Sequence, residues 1–544
     1  MPTCAEVLAR SLHDLGVRTV FGLPGGENVR ILDALRCQGI EFVLVRNESS
    51  AAYAASARWT LTGKLQACLT TLGPGITHAA AGVGHLWLDR AGVVVISACT
   101  AEGSGPMHTH QVLDQEHLMA PMVKAHIKVE PDNIHSLRDV CSLAAEDRPG
   151  PVYVQISNEV AGLAAAGVGT DPEPRPPAGP EPDMEGMEKA LALMARAHRP
   201  VVVAGLGARD ASLRTSVQAV ASSLQAPIVA TPKAKGIVPD RHPLAAGVIG
   251  LTRTDPVYEL LEQADLVIAI GFDVVELVLP WEFDGALVWV AEWPNVDPPL
   301  PADVELTGNV AGHLGTLAQA AEPATGWIDT DFHTFRRDRT VQAPQDTAKG
   351  RVSPQAVMRS LRRHSDPDAI MTVDVGSHKI HFALDWPTHN VSGFLLSNGL
   401  SCMGFGLAGA IGAATLDSGR QVICVIGDGG LSMCAGELGL LREMGANVKV
   451  VVMQDEALDL IRVAQLRAGS PVHGTEYGVS VDHTRLAAAY GIPGLRVTDN
   501  ASLDDGVATA CTQTGPYLIE VMLDPVSYPT FPSTPDGRGA TYPQ

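Results

Sequence analysis

A chain of 544 residues is too long for one hydrophobic core, and at roughly 100 to 200 residues per domain it divides into about three or four. With 46% apolar and 18% charged residues the composition is that of a globular protein, which excludes disorder for any large part. Lys and Arg number 39 against 60 Asp and Glu, and the net charge of −21 repels polyphosphate chains, so nucleic acid and anionic membrane surfaces are excluded as partners. The nine cysteines are scattered through apolar runs without a CxxC pair and read as buried, reduced thiols. Met1 to Ser11 lacks a basic segment followed by an apolar stretch, and no later window reaches the roughly 18 apolar residues of a membrane span, so a cytoplasmic enzyme is expected.

In chain order, β-rich runs come first at Thr19 to Phe21, Phe42 to Val45, Ala67 to Thr71, Val93 to Ser97 and Val152 to Ile156. They alternate with helical patterns such as Glu48 to Leu61 and Ile76 to Leu88, the signature of a parallel sheet with helices on its faces. Ala166 to Gly186, with six prolines, cannot sustain helix or strand and reads as a boundary. A second block repeats the alternation with Val201 to Ala204, Ile228 to Ala230, Leu266 to Ile270 and Leu287 to Val290. A polar, irregular stretch from Glu322 to Gly350 closes it. The last block carries Ala369 to Val373, Val422 to Ile426, Val448 to Met453 and Tyr517 to Val521. The expectation is an α/β protein of three tandem doubly wound parallel-sheet domains, at 1–165, 187–321 and 351–530.

Ligands of open parallel sheets sit beyond the carboxyl ends of strands, which directs attention to the loops there. Val422 to Ile426 runs into Gly427-Asp428-Gly429-Gly430, followed by a helical pattern through Leu431, Leu438 and Leu441. Such glycines let backbone amides approach a phosphate at a helix N-terminus, and a carboxylate among them can hold a divalent cation. The next strand ends in Gln454-Asp455-Glu456-Ala457, with 24 residues between Gly429 and Gln454. One helix and one strand fit that interval, which brings Asp428 and Asp455 to the same sheet edge. Two hard oxygen donors beside phosphate oxygens suit Mg2+.

This pair of loops resembles the thiamine-diphosphate enzyme family, whose signature is Gly-Asp-Gly, a gap of this length, then Asn-Asn or Asn-Asp. The resemblance implies thiamine diphosphate and Mg2+ as cofactors, with Asp428, the side chain of Asp455 and the carbonyl of Ala457 on the metal, and Gly427, Gly429 and Gly430 at the diphosphate. It implies that Glu48, in Arg46-Asn47-Glu48-Ser49-Ser50, is the activating carboxyl group that exchanges a proton with the cofactor's aminopyrimidine, making the cofactor's own amino group a base. Without the resemblance, Glu48 reads simply as an acid favourable to a first helical turn. Met403, in Met403-Gly404-Phe405-Gly406, falls where a large apolar side chain bends the cofactor, and the Ser401 carbonyl where the amino group is accepted. Asp374-Val375-Gly376-Ser377-His378 resembles a further diphosphate loop, with Gly376, Ser377 and His378 as its contacts. Phe21-Gly22-Leu23-Pro24-Gly25 and Gly73-Pro74-Gly75 resemble the matching turns of the first domain, Pro24 among the cofactor contacts.

Thr109 to Asp114, Ile270 to Glu276 and Leu458 to Ile461 look most like the flavin-free, catabolic type of acetolactate synthase. The biosynthetic type carries an Arg-Phe-Asp-Asp-Arg run where this chain has Gly271-Phe272-Asp273-Val274-Val275, and the loss of both arginines argues against FAD. The implied activity is decarboxylation of a 2-oxo acid and ligation to a carbonyl acceptor, with Gln111 and His110 as candidates for orienting substrate. A simple 2-oxo acid decarboxylase or aldehyde lyase and a non-catalytic paralogue are the alternatives. The family's shared sites imply a homodimer or homotetramer. Glu27, Asn47, His78, Gln454 and Leu458 to Arg462 depart from the pattern.

Overall fold

The computed structural model describes all residues except 102–108, 147, 167–182, 252–255, 279–280, 282, 296–299, 329, 336–350 and 525–544. Both expected boundary segments therefore fall largely outside the described residues. The rest forms three six-stranded sheets, each wholly parallel.

The first sheet is built from β1 (Thr19–Leu23), β2 (Glu41–Leu44), β3 (Gln66–Thr70), β4 (Val93–Ala98), β5 (His126–Lys128) and β6 (Val152–Ile156), in the order β2-β1-β3-β4-β6-β5. The second holds β7 (Pro200–Ala204), β8 (Ile228–Ala230), β9 (Ala245–Val248), β10 (Leu266–Ile270), β11 (Ala286–Ala291) and β12 (Val304–Thr307), ordered β12-β11-β10-β7-β8-β9. The third holds β13 (Ile370–Val373), β14 (Phe394–Leu396), β15 (Val422–Gly427), β16 (Val448–Gln454), β17 (Gly494–Val497) and β18 (Tyr517–Met522), ordered β14-β13-β15-β16-β18-β17. The first and third sheets thus share one topology, and the second has the order of a dinucleotide-binding sheet.

Central strands such as β4 (VVVISA) and β15 (VICVIG) are apolar along nearly their whole length because helices cover both faces. Each sheet anchors its own buried cluster, exemplified by Val20, Leu69 and Ile96 in the first, Val202, Ile268 and Trp289 in the second, and Met371, Val425 and Ile519 in the third. Five strands beyond those expected from sequence, β5, β9, β12, β14 and β17, all lie at the edge of their sheet. The interval after Asp428 holds two helices, Asp428–Cys434 and Glu437–Met444, in place of the one expected, because the chain breaks at Ala435-Gly436.

The chain separates into two compact units. One gathers the first sheet with helices Phe405–Ala414 and Glu437–Met444, and the other holds the second and third sheets. In the first unit, helix Glu48–Thr62 (ESSAAYAASARWTLT) is buried along most of its length, and its small side chains admit Phe405–Ala414 (FGLAGAIGAA) at close range. A Cβ at Gly412 would stand 2.2 Å from the Ala54 carbonyl oxygen, so glycine is required there. Among the described residues, no helix is long and apolar enough to cross a membrane.

Candidate active site

The order of the third sheet reverses between β13 and β15, and the loops leaving these two strands are Asp374–His378 and Gly427–Gly430. This switch point is where an open sheet binds ligands. A Cβ at Gly430 would lie 2.0 Å from Asp374 Oδ2, and one at Gly376, where φ is +151°, would lie 2.6 Å from His378 Cε1. The two glycines are therefore fixed by close approach. Gly427 faces the same imidazole, since a Cβ there would lie 3.2 Å from His378 Cε1. His378 is buried and its Nε2 has no hydrogen-bond partner among the described residues. Burial pushes its pKa down to about 3, so the ring is neutral. Helix Ser377–Asp385 begins here, but the Ser377 hydroxyl is engaged, donating to Asp459 Oδ2 at 2.6 Å.

Asp428 is buried, with Oδ1 accepting from the Gly429 N–H and Oδ2 from the Glu456 N–H, both at 2.8 Å. That second bond ties the loop after β15 to the loop after β16. Asp455 lies in the latter and accepts from the Ala457 N–H at 3.2 Å. Burial raises the pKa of Asp428, and burial together with the charges of Asp428 and Asp459 raises that of Asp455 to about 8. A carboxyl group whose ionisation is opposed by desolvation and by a neighbouring carboxylate is one that a divalent cation relieves. Among the described residues, no group of three or more His, Cys, Asp and Glu gathers to hold a metal. Phosphate and water oxygens would have to complete the shell.

Gln454, the departure from the family's Asn, anchors a network that the sequence did not announce. Its Oε1 and Glu520 Oε1 meet His483 Nδ1 at 2.9 and 3.1 Å, and its Nε2 donates to Ser480 Oγ and the Val481 carbonyl. Glu520 also accepts from Arg496 Nε at 2.6 Å. The longer side chain thereby ties the end of β16 to the segment around Ser480 and His483. Asp459 is also paired with Arg462 at 2.6 Å, so two of the altered positions after Leu458 form one ion pair.

In the first unit, Asn47 caps helix Glu48–Thr62 by accepting from the Ser49 N–H at 2.9 Å, which accounts for asparagine at that position. Glu48 is only 6% exposed. Its Oε2 lies 3.4 Å from His78 Nδ1, an imidazole that helix Pro74–Leu88 carries to it. Pro24 follows β1, and Glu27 nearby accepts from Thr71 Oγ1 at 2.7 Å, joining the loops after β1 and β3 at the switch point of this sheet. Ser401 and Gln111 adopt left-handed backbone, at φ 53° and 57°, as does Glu456 in the other unit at 61°. Half of the six non-glycine residues with positive φ among those described thus lie in the loops singled out by sequence, where backbone strain concentrates in functional sites. Gln111 packs against Gly73, whose Cβ would approach its own to 2.9 Å, while His110 is exposed. Met403 is half-buried just before helix Phe405–Ala414.

The second sheet reverses between β7 and β10, and there the buried Glu276 fills the crevice. Its carboxylate accepts from the N–H groups of Leu206 at 2.9 Å and Asp273 at 3.2 Å and from the Thr231 hydroxyl. A Cβ at Gly205 would stand 2.6 Å from Glu276 Oε2. The side chain takes the place beside a strand-end glycine where this kind of sheet holds a dinucleotide phosphate.

Three family models match the chain. They are the thiamine pyrophosphate enzyme N-terminal TPP binding domain at residues 2–118, the central domain at 187–294 and the C-terminal TPP binding domain at 374–521. The chain is 29% identical to an acetolactate synthase of Bacillus subtilis (strain 168), over 96% of this chain and 93% of that protein. It is 30% identical to the acetolactate synthase large subunit of Parasynechococcus marenigrum (strain WH8102), over 95% and 87%, and 30% identical to the acetolactate synthase isozyme 3 large subunit of Escherichia coli (strain K12), over 94% and 92%.

Proposed function

Because the chain belongs to the thiamine pyrophosphate enzyme family, in its acetolactate-synthase-like group, we propose that it decarboxylates a 2-oxo acid and joins the remaining acyl carbon to a carbonyl acceptor, giving a 2-hydroxy ketone. The observation that carries this reading is the pair of desolvated carboxyl groups, buried Asp428 and half-buried Asp455, in adjoining loops at the switch point of the third sheet. Thiamine diphosphate, which is thiamine pyrophosphate, supplies when bound the electron sink that a 2-oxo acid needs to lose carbon dioxide.

Asp428, Asp455 and the Ala457 carbonyl would hold Mg2+, and Gly376, Ser377, His378, Gly427, Gly429 and Gly430 would receive the diphosphate. Neutral His378, whose buried Nε2 has no partner among the described residues, fits an anion-facing role as a donor without charge. Glu48 holds and returns a proton at its carboxyl oxygens, with His78 beside it. Pro24, Met403 and the Ser401 carbonyl would seat the rings, and Gln111 and His110 would orient substrate oxygens. Flavin is left out of this proposal because both arginines of the biosynthetic run are missing, and the buried Glu276 carboxyl group beside Gly205 at the end of β7 supports that reading.

The proposed domains span 1–165, 187–321 and 351–530, a division supported by the three matched stretches, each of which falls inside one of them. A homodimer or homotetramer in the cytoplasm completes the proposal. The oligomer is supported by four large apolar side chains left exposed between positions 461 and 481, Ile461, Leu466, Val479 and Val481, as expected where a second copy covers the surface. The test is reconstitution of cofactor-stripped protein with thiamine diphosphate and Mg2+, followed by product analysis with pyruvate and other 2-oxo acids. Acetolactate or a homologous hydroxy ketone is expected. Free aldehyde alone would make it a simple decarboxylase, and full cofactor affinity in Asp428→Ala would overturn the metal assignment.

A further inference from the structure

The loop that carries Glu48 is held by a helix far along the chain. Glu437 opens helix Glu437–Met444, is fully buried, and accepts from the Arg46 N–H through Oε1 at 2.9 Å. A buried carboxylate is costly unless it is met by donors, and here the Arg46 N–H meets Oε1 while Oε2 has no hydrogen-bond partner among the described residues. Burial raises its pKa, while the N–H groups of Arg46 and Asn47, the Ser50 hydroxyl and the Arg46 charge all favour its ionised form. The groups around it thus come from positions 46, 47 and 50, on either side of Glu48.

A second acid on the same helix grips the same loop. Glu443 pairs with the Arg46 guanidinium, which also donates to the Leu44 carbonyl at the end of β2. Gly436 brings the helix in closely, since a Cβ there would lie 3.2 Å from Arg46 Cβ. Asn47 then caps the helix that Glu48 begins. The backbone from Leu44 to Ser50 is therefore fixed by contacts at nearly every residue, and Glu48 projects from a segment with no slack.

We propose that Glu437, assisted by Glu443, is a positioning residue for Glu48, setting the place of the carboxyl group that handles the proton. This rests on the role proposed above for Glu48. A misplacement of about 1 Å can cost roughly 100-fold in rate, so a loosened loop has a measurable consequence without any change in the chemical groups present.

The experiment has two arms. In cofactor-free protein, amide hydrogen exchange at Arg46 and Asn47 is measured for wild type, Glu437→Ala, Glu437→Gln and Glu443→Ala. Exchange should rise by about 10-fold or more in Glu437→Ala, where the acceptor is gone, and stay near wild type in Glu437→Gln, where an amide oxygen replaces it. Glu443→Ala, an exposed change that leaves the core intact, should give a smaller rise, about threefold. In reconstituted enzyme, Glu437→Ala should lower kcat about 10-fold or more at unchanged KM, with recovery in Glu437→Gln, but cost less than about twofold when Glu48 is already Gln. Unchanged amide exchange in both alanine variants, or a loss that multiplies in full on Glu48→Gln, would overturn the inference. If Glu48→Gln alone leaves turnover intact, the assignment of Glu48 fails, and the cofactor-free arm still decides whether Glu437 holds the loop.

Discussion

Asp455 shows how a residue with an ordinary name acquires an unusual task from its surroundings. Desolvation and the charges of Asp428 and Asp459 push the pKa of its carboxyl group up to about 8, which favours the neutral form at pH 7. A divalent cation takes the carboxylate, so binding below pH 8 must expel the proton, and above pH 8 there is none to expel. Calorimetry of Mg2+ and thiamine diphosphate binding in buffers of different ionisation enthalpy should show about one more proton released at pH 7 than at pH 9, and this difference should vanish in Asp455→Asn. Equal proton counts at both pH values would remove Asp455 from the metal. The same scale explains two departures from the family pattern. Asn47 is a helix cap, and Gln454 has the length to reach His483 and Ser480.

Among the elements, the loop after β10 has the clearest energetic consequence. Burial holds Glu276 at a pKa of about 7, above the ordinary 4.5, against the pull of the Thr231 hydroxyl and the Leu206 N–H. An acid raised in the folded state contributes stability below its unfolded pKa and loses it as pH climbs through the folded value. The window is therefore pH 4.5 to 7, with a plateau above. Between pH 5.5 and 8 the wild type should lose about 2 kcal/mol relative to Glu276→Gln, seen as a narrowing or reversal of the difference in unfolding midpoint. A pH-independent difference would mean that Glu276 stays ionised in the fold. That loop was legible in sequence as a missing pair of arginines, but the carboxylate in their stead was visible only once β7 and β10 lay side by side.

For the whole molecule, the proposed site draws Glu48 from the N-terminal third and its metal ligands from the C-terminal third. In the proposed homodimer they come from different subunits, an isologous arrangement that gives two equivalent sites. Glu48→Gln and Asp428→Ala chains should each be inactive alone. Co-expressed and mixing at random, they should recover about a quarter of wild-type turnover, because half the dimers would hold one intact site of two. Verified mixed dimers without activity would mean that each chain builds its sites alone.

The sequence by itself determined the class of fold and the loops of interest, since both rest on local signals. Runs such as Val422 to Ile426 alternate with helices, and the glycines flanking Asp428 directly after such a run are a pattern readable within a few residues. It also carried the family, through several short motifs in fixed order. The edge strands escaped it because they are short and paired on one side only, so that Gly494–Val497, for instance, is mostly exposed and lacks the apolar run of a central strand. Only the tertiary structure decided the strand order that makes the first and third sheets alike and the second different, because order is set by which neighbours pair, not by any strand's own composition. The same holds for Glu437 against Arg46, Gln454 against His483 and Glu276 against Leu206. Each is a hydrogen bond between residues far apart in sequence, and nothing in either residue's neighbourhood names its partner until the chain has folded.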